Sequence, residues 1–158
     1  MVTILSEQEL LALNLKKLNL ITGSFDLLHA GHIQFIKRAK ELVPNIPLLV
    51  IVLDDKNVSL RKGINRPIYP LADRLILLSA ISYIDYLLAW MINWKKLPDF
   101  ITKLKIDTYF VNEHDPGFKN KQKIAEDNHI KIQTIPRYKD LSTSRIINKI
   151  IQLKLKTY

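Results

Sequence analysis

The chain has 158 residues, 47% of them hydrophobic and 25% charged, with no cysteine and a formal net charge of +9. A domain of this length buries about 70% of the surface its unfolded chain exposes, so a sizeable core is expected. The lack of cysteine excludes disulfides, thiolate metal sites and catalytic thiols.

No apolar run reaches the ~18 residues of a membrane span. The start lacks a basic segment, and Glu7 and Glu9 interrupt it, so no secretory leader and a cytoplasmic location are expected. Ser6-Glu7-Gln8-Glu9 is a capping box and predicts a short helix over 6–16. The apolar run 18–22, followed by Gly23, predicts a buried strand. From Gly31, Ile33, Ile36, Ala39 and Val43 recur at helical spacing, with Lys37, Lys40 and Glu41 between them, and Pro44 stops the helix. Residues 47–53 form a second apolar strand ending at Asp54-Asp55. The polar, basic, proline-containing segment 57–71 predicts a loop, and a helix follows over about 70–81. Strands are then predicted over 86–89, 108–111 and 130–135, with helices over 98–104 and 121–128 and a turn at Asp115-Pro116-Gly117. A helix from 142 to about 153 closes the chain, with Ile146, Ile147, Ile150 and Ile151 on its apolar side. Apolar strands alternating with amphipathic helices predict an α/β, Rossmann-like doubly wound fold: a five-stranded parallel sheet in a single domain, 1–158, with its core over 18–153.

Such sheets bind ligands beyond the carboxyl ends of their strands, which directs attention to 23–32, 54–66, 112–117 and 137–144. Two of the four glycines lie in Gly23-Ser24-Phe25-Asp26-Leu27-Leu28-His29-Ala30-Gly31-His32. Gly23 lets the backbone turn sharply beside a ligand. Gly31 stands where a helix begins, and the free amides and dipole of a helix start favour an anion. His29 and His32, three apart, would face the same side of a first helical turn and complete a phosphate site. Neither the dinucleotide glycine pattern nor the P-loop is present. A metal held by the histidines and Asp26 is the rival reading, but a closed zinc site takes four ligands and the chain has no cysteine. Ser142-Thr143-Ser144 would serve as a helix cap on any reading. The lysines are scattered, which reads as a solvated surface and not as a nucleic-acid stripe.

Residues 23–32 resemble the HxGH signature of the cytidylyltransferase-like nucleotidyltransferases. Arg61-Lys62-Gly63-Ile64-Asn65-Arg66-Pro67-Ile68 followed by Arg74 resembles that family's basic loop and helix start. Ile84-Asp85-Tyr86 resembles its Val-Asp-Tyr strand entry, and Arg137 with Leu141-Ser142-Thr143-Ser144 its closing motif. Four segments in the right order cover nearly the whole chain. Within the family the chain is most similar to the heptose 1-phosphate adenylyltransferase type, on Leu5-Ser6-Glu7-Gln8-Glu9-Leu10, the Lys62-Gly63 to Pro67-Ile68 loop and Ser142-Thr143-Ser144-Arg145-Ile146-Ile147.

The resemblance implies transfer of a nucleoside monophosphate from ATP, or less favourably CTP, to a small phosphorylated substrate such as heptose 1-phosphate, with loss of pyrophosphate. It implies a nucleotide site of Gly23, Ser24, Phe25, Asp26, His29, Gly31, His32, Asp115, Arg137, Ser142, Thr143 and Ser144. His29, His32 and Arg137 would serve the reacting centre. Lys62, Arg66 and Arg74 would neutralise the phosphates, and Mg2+ would bridge phosphate oxygens without a protein cage. A homodimer is the assembly the resemblance allows; no membrane and no nucleic acid are expected as partners. Glycerol 3-phosphate cytidylyltransferase and an FAD synthetase-like enzyme are the alternatives, with a non-catalytic nucleotide- or RNA-binding module as the alternative of another class. Asn112-Glu113-His114-Asp115 stands where such enzymes carry Gly-Gly-Asp or Gly-Asp-Asp. Asp115 keeps the acid, and Glu113 puts a bulky anion where it is expected to narrow the base site.

Overall fold

A computed structural model describes residues 2–139 and 141–155. The elements in chain order are β1 (Thr3–Leu5), α1 (Glu7–Ala12), β2 (Leu18–Gly23), α2 (Ala30–Leu42), β3 (Leu48–Leu53), α3 (Asp55–Lys62), α4 (Leu71–Ser79), β4 (Tyr86–Trp90), a 3-10 turn (Trp94–Lys96), α5 (Leu97–Ile101), β5 (Ile106–Asn112), α6 (Phe118–Asp127), β6 (Lys131–Ile135) and α7 (Thr143–Leu155). All strand pairs are parallel, in the order β1-β4-β3-β2-β5-β6.

The sheet separates two cores. Along β3, which is buried throughout, Leu49, Ile51 and Leu53 join one apolar cluster while Leu48, Val50 and Val52 join the other. That alternation is the pleat of a strand covered on both faces, and it explains why β3 reads as an unbroken apolar run. Ile36 and Ala39 of α2 and Leu78 of α4 cover one face. Leu97, Phe100 and Ile101 of α5 cover the other. The chain steps outward from β2 to β3 to β4, then returns to place β5 on the other side of β2. The direction of winding therefore changes between β2 and β5, and a cleft opens beyond their carboxyl ends.

The sheet has six strands, not the expected five. The additional strand, β1, has three residues and pairs with β4 at the edge, Thr3 beside Tyr86. Two of its residues are exposed, so it carries no apolar pattern to read. The capping box forms as expected: Glu9 N–H donates to Ser6 Oγ at 3.3 Å and Ser6 N–H to Glu9 Oε2 at 2.8 Å. Its helix ends at Ala12, before the expected 16, and Asn14 follows in a left-handed conformation with φ 43°. The segment expected as a loop over 57–71 contains the end of α3. Asp54 caps that helix by accepting from Asn57 N–H at 2.9 Å, and Gly63 ends it with φ 102°. Asp54-Asp55 thus starts a helix as well as closing a strand.

Arg74 corrects a second expectation. Its side chain is wholly buried, and its guanidinium donates to the carbonyls of Tyr69, Ser24 and Leu53 and to Asp55 Oδ1. Every nitrogen is used inside the protein, so Arg74 holds the ends of β2 and β3 and the start of α4 together and does not meet phosphate. Arg74→Met should lower stability by about 3 kcal/mol or more, because buried carbonyls lose their donors. Urea unfolding would measure this, and Arg74→Lys should recover only part of the loss because an ammonium cannot span the same acceptors.

Candidate active site

The loop after β2 builds the centre of the cleft. Gly23 is closely approached by the Phe25 ring: a Cβ there would lie 3.0 Å from it. Phe25 and Leu27 both adopt left-handed backbone, with φ 49° and 57°. Such conformations are unfavourable for side chains of this size and persist where the surroundings determine them. Between them the loop turns Asp26 inward. Its carboxylate, fully buried, accepts from Ile68 N–H at 2.7 Å, Tyr69 N–H at 3.0 Å and Arg66 Nε at 2.5 Å. Its backbone carbonyl accepts from Thr143 Oγ1 at 2.8 Å. Burial alone would raise the Asp26 pKa; donation by Tyr69, Arg66 and Ile68 outweighs it and holds the carboxyl below its usual range. Asp26 therefore joins three segments remote in sequence.

The two histidines meet, though not as helical spacing suggests. His29 has extended backbone, φ −143° and ψ 168°, and caps α2 from outside: its Nδ1 accepts from Gly31 N–H at 3.1 Å. That bond places the ring proton on Nε2. His32 lies inside the first turn, and the two rings stack at 3.9 Å with 26° between their planes. Gly31 is what allows this, since a Cβ there would lie 2.9 Å from the His29 ring. Burial, then the charges of His29 and Lys62, push the His32 pKa down to about 3, against a smaller opposing effect from Asp26. Burial and the Arg137 guanidinium lower that of His29 as well. Both rings are therefore neutral near pH 7. His32 Nδ1 and Arg66 Nη2 are buried without a hydrogen-bond partner among the described residues.

These groups line a cavity of about 600 Å³. The start of α7 borders it with Ser142, Thr143 and Ser144, and Ser142 Oγ also accepts from Arg145 N–H at 3.2 Å, so capping and cavity wall coincide. Gly23, Ser24, Phe25, Asp26, Gly31, Lys62, Arg66, Asp115 and Arg137 are all on the wall, leaving Arg74 as the expected site residue that is not. Lys62 is lowered by desolvation first and by its neighbour Arg66 second. Glu113 does not crowd the cavity. It turns aside to accept from Arg137 N–H at 3.3 Å and lies 3.3 Å from His114 Nε2, while Asn112, His114 and Asp115 form the wall.

Lys121 and Arg61 also line the cavity, and neither was expected there. Lys121 Nζ donates to Asp115 Oδ2 at 2.7 Å and to the Thr22 carbonyl at 3.1 Å. Asp115 Oδ1 accepts from Gly117 N–H at 2.6 Å. Burial would raise the Asp115 carboxyl, but Lys121 and Gly117 hold it below its usual range. In the sequence Lys121 is one of many scattered lysines, and only the turn of 115–117 returns it to the end of β2. Among the described residues no group of three or more His, Asp or Glu could hold a metal, and Asp26 and Asp115 are already bonded to cations. No helix among them is long and apolar enough to cross a membrane.

The chain is similar to known proteins. The cytidylyltransferase-like family model matches residues 20–149. The bifunctional protein HldE of Desulfatibacillum aliphaticivorans is 33% identical over 136 residues, 85% of this chain but 27% of that protein. The FAD synthase of Thermococcus sibiricus is 37% identical over 145 residues, 87% of this chain and 95% of that protein. The chain thus spans only a part of the HldE relative and almost the whole of the FAD synthase. The crystal structure of the lipopolysaccharide core biosynthesis protein from Thermoplasma volcanium has the same fold, with a TM-score of 0.59 and 24% identity over 77% of this chain and 95% of that one.

The histidines should leave a pH signature in stability. The His32 pKa of about 3 in the native state lies below the ~6.5 of an unfolded histidine. As pH falls below about 6.5, the unfolded chain therefore takes up a proton that the native protein does not, and stability declines. Between about pH 7 and 5, carboxylates stay ionised in both states, so this slope belongs to the histidines. Urea midpoints should fall over that window, less steeply in His32→Gln and least in the variant that also carries His29→Gln.

Proposed function

Because the chain belongs to the cytidylyltransferase-like family, we propose that it is a nucleotidyltransferase whose cavity binds ATP or CTP and passes the nucleoside monophosphate to a small phosphate monoester. An oxygen of the acceptor phosphate attacks the α-phosphorus, the bond to the bridging oxygen of pyrophosphate breaks, and pyrophosphate leaves with those electrons. ATP is the preferred donor and a sugar 1-phosphate, such as heptose 1-phosphate, the preferred acceptor. FMN is a second acceptor reading, favoured by the match over 95% of the length of an FAD synthase.

The observation that carries the proposal is the stacked, neutral histidine pair at the start of α2. His29 uses Nδ1 to cap the helix, so its Nε2–H is free to donate in a residue that lines the cavity. A neutral donor strengthens its bond as charge grows on the reacting phosphoryl group and needs no proton transfer. Lys62 and Arg66 neutralise phosphate from one wall, with Arg137 and the α7 amides opposite. The chemistry then rests on position and charge, not on a covalent nucleophile. Among the described residues both cavity carboxylates, Asp26 and Asp115, are tied to cations, so a Mg2+ ion would have to rely on the nucleotide for its ligands and would supply charge neutralisation to the phosphates.

Pyrophosphate release with ATP and CTP, each against heptose 1-phosphate, glycerol 3-phosphate and FMN, tests the reading. Saturable, magnesium-dependent release with one pair is expected; none from the folded protein would overturn it. A module that binds RNA would instead lose affinity steeply with salt. His32→Ala should lower kcat about a hundredfold or more with the fold intact by circular dichroism. Near-normal turnover would remove the role given to that ring. Gly31→Ala, by displacing the His29 ring, should lower kcat in the same direction while leaving the helix formed.

A further inference from the structure

Arg61 lies at the end of α3, beside Lys62, and opens the basic segment 61–68, but it has been given no role so far. Its guanidinium carbon lies 5.3 Å from the centroid of the Trp94 ring, the geometry of a cation–π contact. Trp94 is itself fixed to α3: its backbone N–H donates to Asn57 Oδ1 at 2.8 Å, and the buried Asn57 amide donates to Asp54 and to the Ile92 carbonyl. The ring is thus a platform that moves with the helix carrying Arg61. The guanidinium reaches to within 3.4 Å of where a Cβ on Gly117 would stand, next to the Asp115 carboxylate.

Three basic side chains of the cavity are committed to protein acceptors: Arg66 to Asp26, Lys121 to Asp115, and Arg137 to the His114 carbonyl. Arg61 makes no hydrogen bond or salt bridge among the described residues, although its guanidinium carries five donors. It stands beside Lys62, whose ammonium Arg66 and Arg61 both disfavour, and among the described residues Arg66 Nη2 is buried without a hydrogen-bond partner. Asp26 and Asp115 offset part of the repulsion among these cations, Asp115 acting on both Arg61 and Lys62, but five basic side chains face two carboxylates on the described wall, and the excess of positive charge favours a further anion.

We propose that Arg61, held against the Trp94 ring, is a substrate-binding residue that, with Lys62 and Arg66, receives the phosphate of the acceptor. Trp94 is the corresponding positioning residue. This rests on the nucleotidyl-transfer reading and divides its cavity in two. The starts of α2 and α7, with His29 and Arg137, form the wall for the nucleotide phosphates. The end of α3 and the loop after it form the wall for a phosphate monoester. A guanidinium already immobilised on a ring loses less freedom on binding than a free side chain, so its donors favour the bound ligand.

The test separates the two substrates kinetically. Arg61→Met should raise KM for the acceptor about tenfold or more while KM for the nucleotide changes less than about twofold and kcat falls far less than KM rises. Arg61→Lys should recover part of the loss. Trp94→Phe should stay near the parent value and Trp94→Leu should move toward Arg61→Met, a pattern a purely structural role would not produce. Unchanged acceptor KM in Arg61→Met, or a rise confined to the nucleotide, would overturn the assignment while leaving nucleotidyl transfer intact. If the parent protein releases no pyrophosphate with any pair, calorimetric titration with glycerol 3-phosphate decides. Binding weakened in Arg61→Met supports the assignment, and equal or absent binding in both proteins overturns it.

Discussion

The buried carboxylate of Asp26 is the constraint around which the site is assembled. It sits in a loop with two left-handed residues and receives the basic loop through Arg66, Ile68 and Tyr69, while its carbonyl receives α7 through Thr143. A buried carboxylate is costly unless its lone pairs are filled, so the segment 66–69 that fills them must arrive against the loop after β2. The same requirement brings Lys62 and Arg66 to the wall facing the histidines. Asp26 thereby fixes where the cations of the basic loop stand on the cavity wall.

Arg74 performs the complementary task one layer below. It satisfies carbonyls at the ends of β2 and β3, where a parallel sheet leaves acceptors without partners. The cleft can then open at the switch point between β2 and β5 while the strand ends beneath it stay closed to water. Nearer the surface, Lys121 answers Asp115 and the Thr22 carbonyl in the same way. Each conserves order by pairing a charge with a fixed acceptor, and the groups left over face the cavity.

What remains is a cavity with five basic side chains and two carboxylates on its wall among the described residues, the carboxylates already paired. Its field is positive, yet the two rings at the start of α2 are neutral because burial and nearby cations disfavour their charged forms. That division suits a polyanion: diffuse positive charge draws phosphate in, and neutral donors with fixed tautomers address particular oxygens.

The sequence alone determined the alternation of strands and helices, since a doubly covered sheet demands apolar strands such as β3 and amphipathic helices such as α2. It also determined the glycine–histidine loop and the closing Ser-Thr-Ser segment, because local backbone chemistry places these at strand ends and helix starts. The family follows from those motifs in order. The edge strand β1 escaped because three half-exposed residues carry no periodicity, and α3 because its cap at Asp54 coincides with a strand end. The fate of each charge was decided only in three dimensions. Arg66 and Arg74 look alike in sequence, but one ends on Asp26 at the cavity and the other is enclosed beneath it. Glu113 turns away, Lys121 turns in, and Arg61 comes to rest on Trp94. Ion pairs and ring contacts between residues far apart in the chain have no period to read; they depend on distances of a few ångströms that only packing sets.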